Sequence, residues 1–399
     1  MILVAVIFTA AITAGITANL IKKNKANTVE LTLEEYSQLK DLFVLDEIMD
    51  QTEANALEKA PDRSAMIAHA AKGVVASLND PYAAYYTPEE YEAYLSNVNG
   101  TYTGIGMLIG QPKQDGAPVL DVYDGYSAQQ AGVRVGDIIT SINGKNAAQM
   151  TLDDITDEAD GELDSVVQID VLRNGEALHF ELTSMQINIS QVSSALFNER
   201  TAYIRINRFT GNCVGEFEAA LKDKTERGMR SLVIDLRNNP GGSLENVVSI
   251  ADTILGKCTI VTLKGNNDAG EVFSGKGKGI DVPIAILVNE NSASASEILA
   301  AAVQDNDAGT VIGMTTFGKG IVQTTSKLSG NTGWLKLTTE EYFTPSGKNI
   351  DGVGVMPDIE VDLPDDMKGV PIQSIDQEDD AQLWEALDCV RDQAAQQEQ

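Results

Sequence analysis

The 399-residue sequence is poor in histidine, cysteine and positive charge. The three cysteines, Cys213, Cys258 and Cys389, lie far apart and form no CxxC pair, so neither a disulfide framework nor a metal site is predicted. Aspartate and glutamate number 59 against 29 lysines and arginines, which gives a net charge of −30. Because phosphate binding needs clustered Lys and Arg, this charge argues against nucleic acid and anionic lipid as partners.

Charged residues are also absent from the first 21 positions, Met1 to Ile21, which are followed by Lys22, Lys23 and Lys25. An uncharged apolar stretch of this length can cross a bilayer as a helix. We therefore interpret residues 1–25 as a signal anchor or a signal peptide, and the alternative is a buried core helix. The first interpretation predicts extracytoplasmic localisation, with the chain attached to the cell membrane through this N-terminal segment.

Hydrophobic periodicity and turn residues divide the rest of the chain into four segments. Residues 28–98 carry apolar residues at helical spacing and predict an N-terminal helical region. Residues 99–187 combine short strands with glycine turns, which is typical of a compact β-rich module. Strands alternate with helices over 188–364, which predicts a sheet with helices on its faces. Residues 365–399 form an acidic tail with one candidate helix at 383–395, so the fold class is α/β in a multidomain α+β arrangement.

The scarcity of histidine matters most at NENSASASEILAAAVQD, residues 289–305, where an apolar strand gives way to a helical pattern. Ser294 and Glu297 match a capping box, so a structural cap is one interpretation of Ser294. A nucleophile is the other, because backbone N–H groups at the start of a helix stabilise an oxyanion. A serine nucleophile needs a base. The two histidines, His69 and His179, lie in other segments of the chain.

A buried lysine is another established base for serine, because an apolar site disfavours the ammonium and lowers its pKa. Lys319 stands between Gly318 and Gly320 just before an apolar strand. Strand alternation would place Gln323 on the same face, where its amide would hold the amine. The alternative is an exposed turn with a solvated lysine. A phosphate loop is not supported, because glycine rather than Ser or Thr follows Lys319.

Two glycine-containing turns are candidates for binding charged groups through backbone amides. In DLRNNPGGSLENVV, Gly241 and Gly242 lie between a buried strand and a helix, where exposed amides can bind a phosphate or a developing oxyanion. A tight turn that merely needs glycine is the alternative. In YTGIGML, an amide nest beside a strand edge can capture a peptide carboxylate. The residues of this second turn are Gly104, Ile105, Gly106 and Met107.

Taken together, these motifs resemble the carboxyl-terminal processing proteases, also called tail-specific proteases. The similarity runs from about Leu31 to Val361 and includes, in family order, LNDPYAAYYTPEEY, TGIGM, AGVRVGDIITSINGK, AYIRINRFT, VIDLRNNPGG, VNENSASASEILAAAVQD, TFGKGIVQ and TPSGKNIDGVGVMPDIEV. The resemblance implies an N-terminal helical region, an inserted PDZ domain over 99–187 and a crotonase-like α/β protease core over 188–364.

The resemblance also implies a role for individual residues. A serine and a lysine would form the catalytic dyad, backbone amides would stabilise the oxyanion, and the PDZ turn at 104–107 would bind the peptide. The implied residues are Ser294 as nucleophile, Lys319 as base, Gln323 beside that base, and Ala295 with Gly241 or Gly242 as oxyanion donors.

The predicted function is that of a serine endopeptidase that binds the C-terminal region of protein or peptide substrates through its PDZ domain and cleaves them through an acyl-enzyme. A PDZ peptide-binding scaffold with an inactive protease core is the alternative. A crotonase-like acyl-CoA enzyme would explain neither the PDZ module nor the export segment. No metal or cofactor is implied. A homodimer that pairs the helical ends at 28–98 and 383–395 is a further expectation.

Overall fold

The computed structural model describes residues 32–99, 101–123, 125–188, 190–198, 200–266, 270–365, 367–368, 370 and 372–397. The predicted membrane segment, residues 1–25, lies outside them. Across these ranges, no helix combines the length and the apolar content that crossing a bilayer requires. The contacts of the chain cluster into two units, residues 1–79 and residues 80–399.

The first unit is helical in its described part. Asp62 caps the last of its helices by accepting a hydrogen bond from the Ala65 N–H at 2.9 Å. Val75 is buried, whereas Phe43 and Ile48 remain more than half exposed, so the apolar core among the described residues of this unit is small. The helices are α1 (Leu33–Leu39), α2 (Phe43–Asn55) and α3 (Arg63–Ala76), with a 3₁₀ turn at Lys40–Leu42.

The second unit joins a β-rich segment to an α/β segment. Its helices are α4 (Pro88–Asn99), α5 (Ser127–Ala131), α6 (Leu152–Asp160), α7 (Cys213–Glu226), α8 (Leu244–Leu255), α9 (Ala295–Asp305) and α10 (Ala381–Gln397). Its 3₁₀ turns are Ala147–Gln149, Ser329–Asn331, Ile372–Ser374 and Gln377–Asp379. Its strands are β1 (Ala84–Tyr86), β2 (Thr101–Gly104), β3 (Met107–Ile109), β4 (Ala117–Val122), β5 (Ile138–Ile142), β6 (Lys145–Asn146), β7 (Val166–Arg173), β8 (Glu176–Thr183), β9 (Met185–Asn188), β10 (Val192–Phe197), β11 (Thr201–Ile206), β12 (Ser231–Asp235), β13 (Thr259–Gly265), β14 (Glu271–Ser274), β15 (Ile284–Val288), β16 (Thr310–Gly313), β17 (Ile321–Lys327), β18 (Trp334–Phe343) and β19 (Ile359–Glu360).

An antiparallel sheet forms the centre of the β-rich segment, in the order β3-β4-β5-β7-β8 with β6 paired to β5. The β7–β8 hairpin turns at Asn174 and Gly175, and both residues have positive φ, as the Asn-Gly dipeptide predicts. Alternate residues of β7, such as Val167 and Ile169, are buried with Ile155 of α6 in one apolar core. The period-2 pattern of the sequence therefore sets which face of this sheet is covered.

A second sheet, in the order β10-β11-β12-β15-β16-β19, forms the centre of the α/β segment. The β10–β11 pair is antiparallel and the other pairs are parallel. Helices α7, α8 and α9 cover one face, around residues such as Phe217, Ile250 and Leu299. Because the opposite face is covered as well, β12 and β15 are buried along their whole length.

Helix α10 covers that opposite face; the sequence predicts a candidate helix at 383–395 within an acidic tail, but not its packing against the sheet. Its buried residues Leu383 and Leu387 belong to the same apolar cluster as Val233 of β12 and Leu287 of β15. Acidic residues such as Asp388 lie on its outer side. The apolar face of this helix is therefore occupied by its own sheet, which gives no support to the expected pairing of two chains through 383–395.

A third sheet carries the chain that follows Lys319. Its order is β1-β18-β13-β14, and β17, which follows Lys319, pairs with β18. Strand β17 begins at Ile321, and a β-bulge separates Val322 from Gln323. Strand β1 lies antiparallel to β18, with Tyr85 opposite Leu335. Two stretches that are distant in sequence thus become neighbours around Lys319.

A buried charged network joins the end of β12 to the start of α10. Arg237 is 1 % exposed and donates to the two carboxylate oxygens of Asp380 at 2.7 and 2.8 Å, and to Asp235 at 2.7 Å. Burial alone would raise the pKa of Asp235, but Arg237 and Arg205 hold it below its usual value. Since a guanidinium binds carboxylates in a fixed planar geometry, the network fixes the loop that follows β12.

We expect Asp380→Ala to destabilise the protein by about 3–5 kcal/mol, because Arg237 and Arg205 would then share one buried carboxylate and leave positive charge unpaired. The measurement is denaturant-induced unfolding. Asp388→Ala is the matched control, because Asp388 forms an exposed ion pair with Arg391 on the same helix and its loss should cost little. Equal destabilisation by the two substitutions would contradict the role of the network.

Candidate active site

Ser294 lies in the turn between β15 and α9, as the strand-to-helix pattern predicts. Its φ of +56° and ψ of −113° are unusual for a residue with a side chain. Such a backbone costs about 1–3 kcal/mol and persists only where the surrounding structure holds it. Strain of this kind clusters at functional sites, so the conformation favours the nucleophile interpretation over that of a simple cap.

The three serines of this stretch differ in burial and in hydrogen bonding. Ser292 and Ser296 are fully buried, and their hydroxyls donate to the carbonyl oxygens of Leu236 at 2.8 Å and of Asn239 at 2.9 Å. Both hydroxyls therefore hold the turn against the loop that follows β12. Ser294 is partly exposed. Of the three, it is the serine whose side chain remains accessible to a substrate.

Glu297, in the first turn of α9, joins the Ser294 turn to the Lys319 turn. Its carboxylate is fully buried, and one oxygen accepts from the N–H of Ser294 at 2.7 Å and from the N–H of Lys319 at 2.9 Å. The other oxygen accepts from the Gly318 N–H at 2.7 Å and from the Thr316 hydroxyl at 2.5 Å. One carboxyl group thus holds both candidate catalytic residues by their backbones.

The capping-box pattern at Ser294 and Glu297 is present in the structure, but the Glu297 carboxylate also accepts hydrogen bonds from residues outside that pattern. Sequence reasoning missed the bonds to Thr316, Gly318 and Lys319. The available signal was the position of Glu297 itself, because a glutamate in the first turn of an otherwise apolar, buried helix needs several hydrogen-bond donors around it.

The Lys319 side chain is partly buried and held by two neighbours. Its Nζ donates to Gln323 Oε1 at 2.9 Å and lies 4.4 Å from the centre of the Tyr82 ring. Burial lowers the pKa of Lys319 below its usual value, and the charge of Lys336 lowers it further, while Asp80 and Glu297 oppose the shift. A solvated lysine in an exposed turn does not describe this geometry.

The contact between Lys319 and Gln323 forms, but not through simple strand alternation. Lys319 precedes β17, and the β-bulge at Val322 and Gln323 interrupts the regular alternation. The long lysine side chain reaches the amide across this irregularity, and the Gln323 Nε2 donates to Thr338 Oγ1 at 3.2 Å. In the described part of the chain, no hydrogen bond joins the Lys319 amine to the Ser294 hydroxyl.

Of the two candidate oxyanion glycines, Gly241 is the one beside Ser294. A Cβ at Gly241 would lie 2.9 Å from the Ser294 Cβ and 3.0 Å from the Ala295 nitrogen, and its φ of +101° also favours glycine. A Cβ at Gly242 would instead lie 2.4 Å from the Phe209 carbonyl oxygen. The Gly241 N–H donates to Asn239 Oδ1 at 2.9 Å, so that amide has a partner within the loop.

The candidate peptide-binding residues lie at the junction of β2 and β3. Ile105 and Met107 point into the core of the β-rich segment, at 2 % and 7 % exposure. Gly106 has a φ of +82°, and a Cβ there would come within 2.2 Å of the Tyr126 Cβ. Gly104 ends β2. The turn therefore packs tightly, and its Ile105 and Gly106 carbonyl oxygens accept from the N–H groups of Ala128 and Tyr123, each at 2.9 Å.

Among the described residues, no hydrogen bond joins either histidine to Ser294. His179 lies on β8, where its Nδ1 is 2.7 Å from Asp170 Oδ1, and both side chains are more than half exposed. His69 lies on α3 in the first unit. The Asp170–His179 pair is a cross-strand contact on the surface of the β-rich segment. The lysine remains the base candidate that the geometry supports.

Comparisons with known proteins relate the chain to protease and PDZ families. Residues 200–361 match the family model of Peptidase family S41, and residues 119–173 match that of the PDZ domain. A probable CtpA-like serine protease from Staphylococcus haemolyticus strain JCSC1435 is 31% identical over 368 residues, which cover 91% of this chain and 72% of that protein.

Two further relatives are similar over much of the chain. A probable CtpA-like serine protease from Staphylococcus aureus strain COL is 34% identical over 310 residues, 77% of this chain and 62% of that protein, so the match spans less than two thirds of the relative. The solved structure of a photosystem II D1 C-terminal processing protease is 28% identical with a TM-score of 0.50, covering 85% of this chain and 97% of that one. The predicted α/β multidomain class is confirmed.

We expect Glu297→Gln to destabilise the protein by at least about 2 kcal/mol, because the amide NH₂ would replace one carboxylate oxygen and leave at least one backbone N–H without its acceptor in a buried site. Thermal and denaturant unfolding measure the loss. Glu290→Gln, on the exposed side of the same loop, is the matched control. An unchanged midpoint for Glu297→Gln would mean that the carboxylate does not hold the two turns together.

Proposed function

Because the chain belongs to peptidase family S41, with the CtpA-like serine proteases, we propose that it is a serine endopeptidase with Ser294 as nucleophile and Lys319 as base. One observation carries the proposal: a single oxygen of Glu297 accepts from the N–H groups of both residues. The lowered pKa of the Lys319 amine supports its role, because a base must be neutral to take a proton.

In the proposed reaction, the neutral Lys319 amine takes the proton of the Ser294 hydroxyl while Oγ attacks the carbonyl carbon of the scissile peptide bond. The Ala295 N–H, at the start of α9, and the Gly241 N–H stabilise the oxyanion that forms. The Lys319 ammonium then gives its proton to the leaving amine, and an acyl-enzyme remains. Water activated by the same amine hydrolyses the ester and restores the serine.

Two contacts change partners in this mechanism. The Lys319 amine has to leave Gln323 Oε1, or share it, to reach the Ser294 hydroxyl. The Gly241 N–H, which donates to Asn239, has to turn toward the substrate oxyanion. Catalytic hydrogen bonds are often long or misdirected without substrate and tighten in its complex. We propose that the bound peptide brings about both changes.

The PDZ domain gives the proposal its substrate class. A strand edge with an amide nest binds an extended peptide by its main chain and its terminal carboxylate. We propose that residues 104–107 bind the free C-terminus of protein or peptide substrates, which Ser294 then cleaves. The similar D1 protease is, by its title, a C-terminal processing enzyme. We retain extracytoplasmic localisation, with residues 1–25 as membrane anchor, as part of the proposal.

We expect Ser294→Ala and Lys319→Ala each to lower the rate of cleavage of an unfolded protein by at least about 1,000-fold, because each removes one half of the proton transfer. Cleavage is followed on gels and by the release of new termini. Ser326→Ala and Lys327→Ala, on exposed positions of β17, are the matched controls. Equal activity in all four variants and the wild type would remove the dyad, and no activity in any protein would favour the inactive PDZ scaffold.

We also expect kcat/KM to rise with pH as Lys319 loses its proton, because only the neutral amine accepts the serine proton. Since the pKa of Lys319 lies below its usual value, the rise should be complete at a lower pH than for a solvated lysine. The measurement is kcat/KM from mildly acidic to alkaline pH at constant ionic strength. A flat profile over that range would contradict a lysine base.

A further inference from the structure

Residues 80–86, which we call the strap, lie across the lysine side of the candidate site, and the proposed mechanism does not use them. The end of the strap is fixed to the third sheet, where Ala84 lies opposite Lys336 as β1 pairs with β18. The Tyr85 hydroxyl donates to the Thr332 carbonyl oxygen at 2.5 Å. The beginning of the strap places the Tyr82 ring over the Lys319 amine, with 4.4 Å between Nζ and the ring centre.

The strap is also connected to Lys319 through a chain of hydrogen bonds that involves Asp80, Thr338 and Gln323. Asp80 Oδ1 accepts from the Tyr82 N–H at 2.8 Å, and hydrogen bonding by the Tyr82 N–H and the Thr338 hydroxyl lowers the pKa of the Asp80 carboxyl. A carboxylate can only accept, so Thr338 donates to it and keeps a lone pair for the Gln323 Nε2 at 3.2 Å. The amide of Gln323 is thereby oriented with its oxygen toward Lys319.

We propose that the strap is a positioning element for the base: Tyr82 covers the Lys319 amine and keeps water from it, and Asp80 acts through Thr338 to orient Gln323. The inference rests on the proposed Ser294–Lys319 mechanism and extends it to residues that take no part in the proton transfer. Tyr82 and Asp80 are therefore positioning residues, and their effect should appear in the protonation of Lys319 rather than in the chemistry itself.

The charged groups around Lys319 determine the sign of each effect. Lys336 on β18 lowers the pKa of Lys319, whereas Asp80 in the strap and Glu297 on α9 raise it, and burial is the largest influence. Loss of the Tyr82 ring admits water, so it should raise the pKa toward its usual value. Loss of the Asp80 charge removes a stabiliser of the ammonium, so it should lower the pKa.

The face of the Tyr82 ring also attracts the ammonium form of Lys319. This attraction raises the pKa of Lys319, whereas burial lowers it. Removal of the Tyr82 ring therefore tests which of the two effects dominates. Because burial has the largest influence on Lys319, we expect exclusion of water to dominate. A shift of the pH profile toward acid in Tyr82→Ala would show the reverse and would overturn the proposed covering role.

The test is the rate at which a fluorophosphonate labels Ser294 as a function of pH, because labelling needs the base but not a bound peptide. We expect Tyr82→Ala to move the midpoint of the profile toward alkaline pH by about half a unit or more, and Tyr82→Phe to restore it. Tyr91→Ala is the matched control. Tyr91 stacks on Trp334 at 3.9 Å in the adjoining aromatic cluster, and its loss should leave the midpoint in place.

Asp80→Asn is a second test, in which the midpoint should shift in the opposite direction. It tests the role of Asp80 even if Tyr82→Ala does not fold. It keeps a hydrogen-bond acceptor for Thr338 but loses the charge, so the midpoint should move toward acid pH. Wild-type midpoints in both Tyr82→Ala and Asp80→Asn would overturn the inference. Undiminished labelling of Ser294→Ala would instead overturn the proposed function, so the two failures are distinguishable.

Discussion

The buried carboxylate of Glu297 is the constraint on which the site depends. It accepts hydrogen bonds from Ser294, Thr316, Gly318 and Lys319, and no water is needed to satisfy it. Because a carboxylate has about four acceptor positions and no donor, one such group can hold donors from two separate turns without conflict. The strained backbone of Ser294 persists because this carboxylate and the buried neighbouring serines over-determine the turn.

A second buried charged group plays a similar part on the other side of the nucleophile turn. Arg237, with Asp235 and Asp380, fixes the start of the loop that carries Gly241 and fastens α10 to the sheet. Asn239 in the same loop accepts, through its carbonyl oxygen, from the Ala293 N–H and the Ser296 hydroxyl. The loop that carries Gly241 and the turn that carries Ser294 are thus held by separate polar clusters that share a short stretch of backbone.

The environment of Lys319 is a balance of opposed effects. Burial and the charge of Lys336 favour the neutral amine, and Asp80 and Glu297 favour the ammonium. A site that only lowered the pKa would weaken the amine as a base, since a base of very low pKa accepts protons poorly. The acidic neighbours limit the shift, and the ring of Tyr82 and the amide of Gln323 restrict where the amine can lie.

The sequence by itself determined the α/β class, the β-rich module, the strand-to-helix turn at Ser294 and the scarcity of histidine near it, because periodicity, turn residues and composition are local properties. A family resemblance also marked Gly241 or Gly242 as a candidate oxyanion donor, and the structure places Gly241 beside Ser294. The tertiary structure decided the rest. It selected Ser294 over the buried Ser292 and Ser296, linked Glu297 to Lys319, packed α10 onto the sheet and brought Tyr82 over the amine. These are contacts between residues far apart in the chain, and they leave no periodic pattern because they arise only when separate elements pack together.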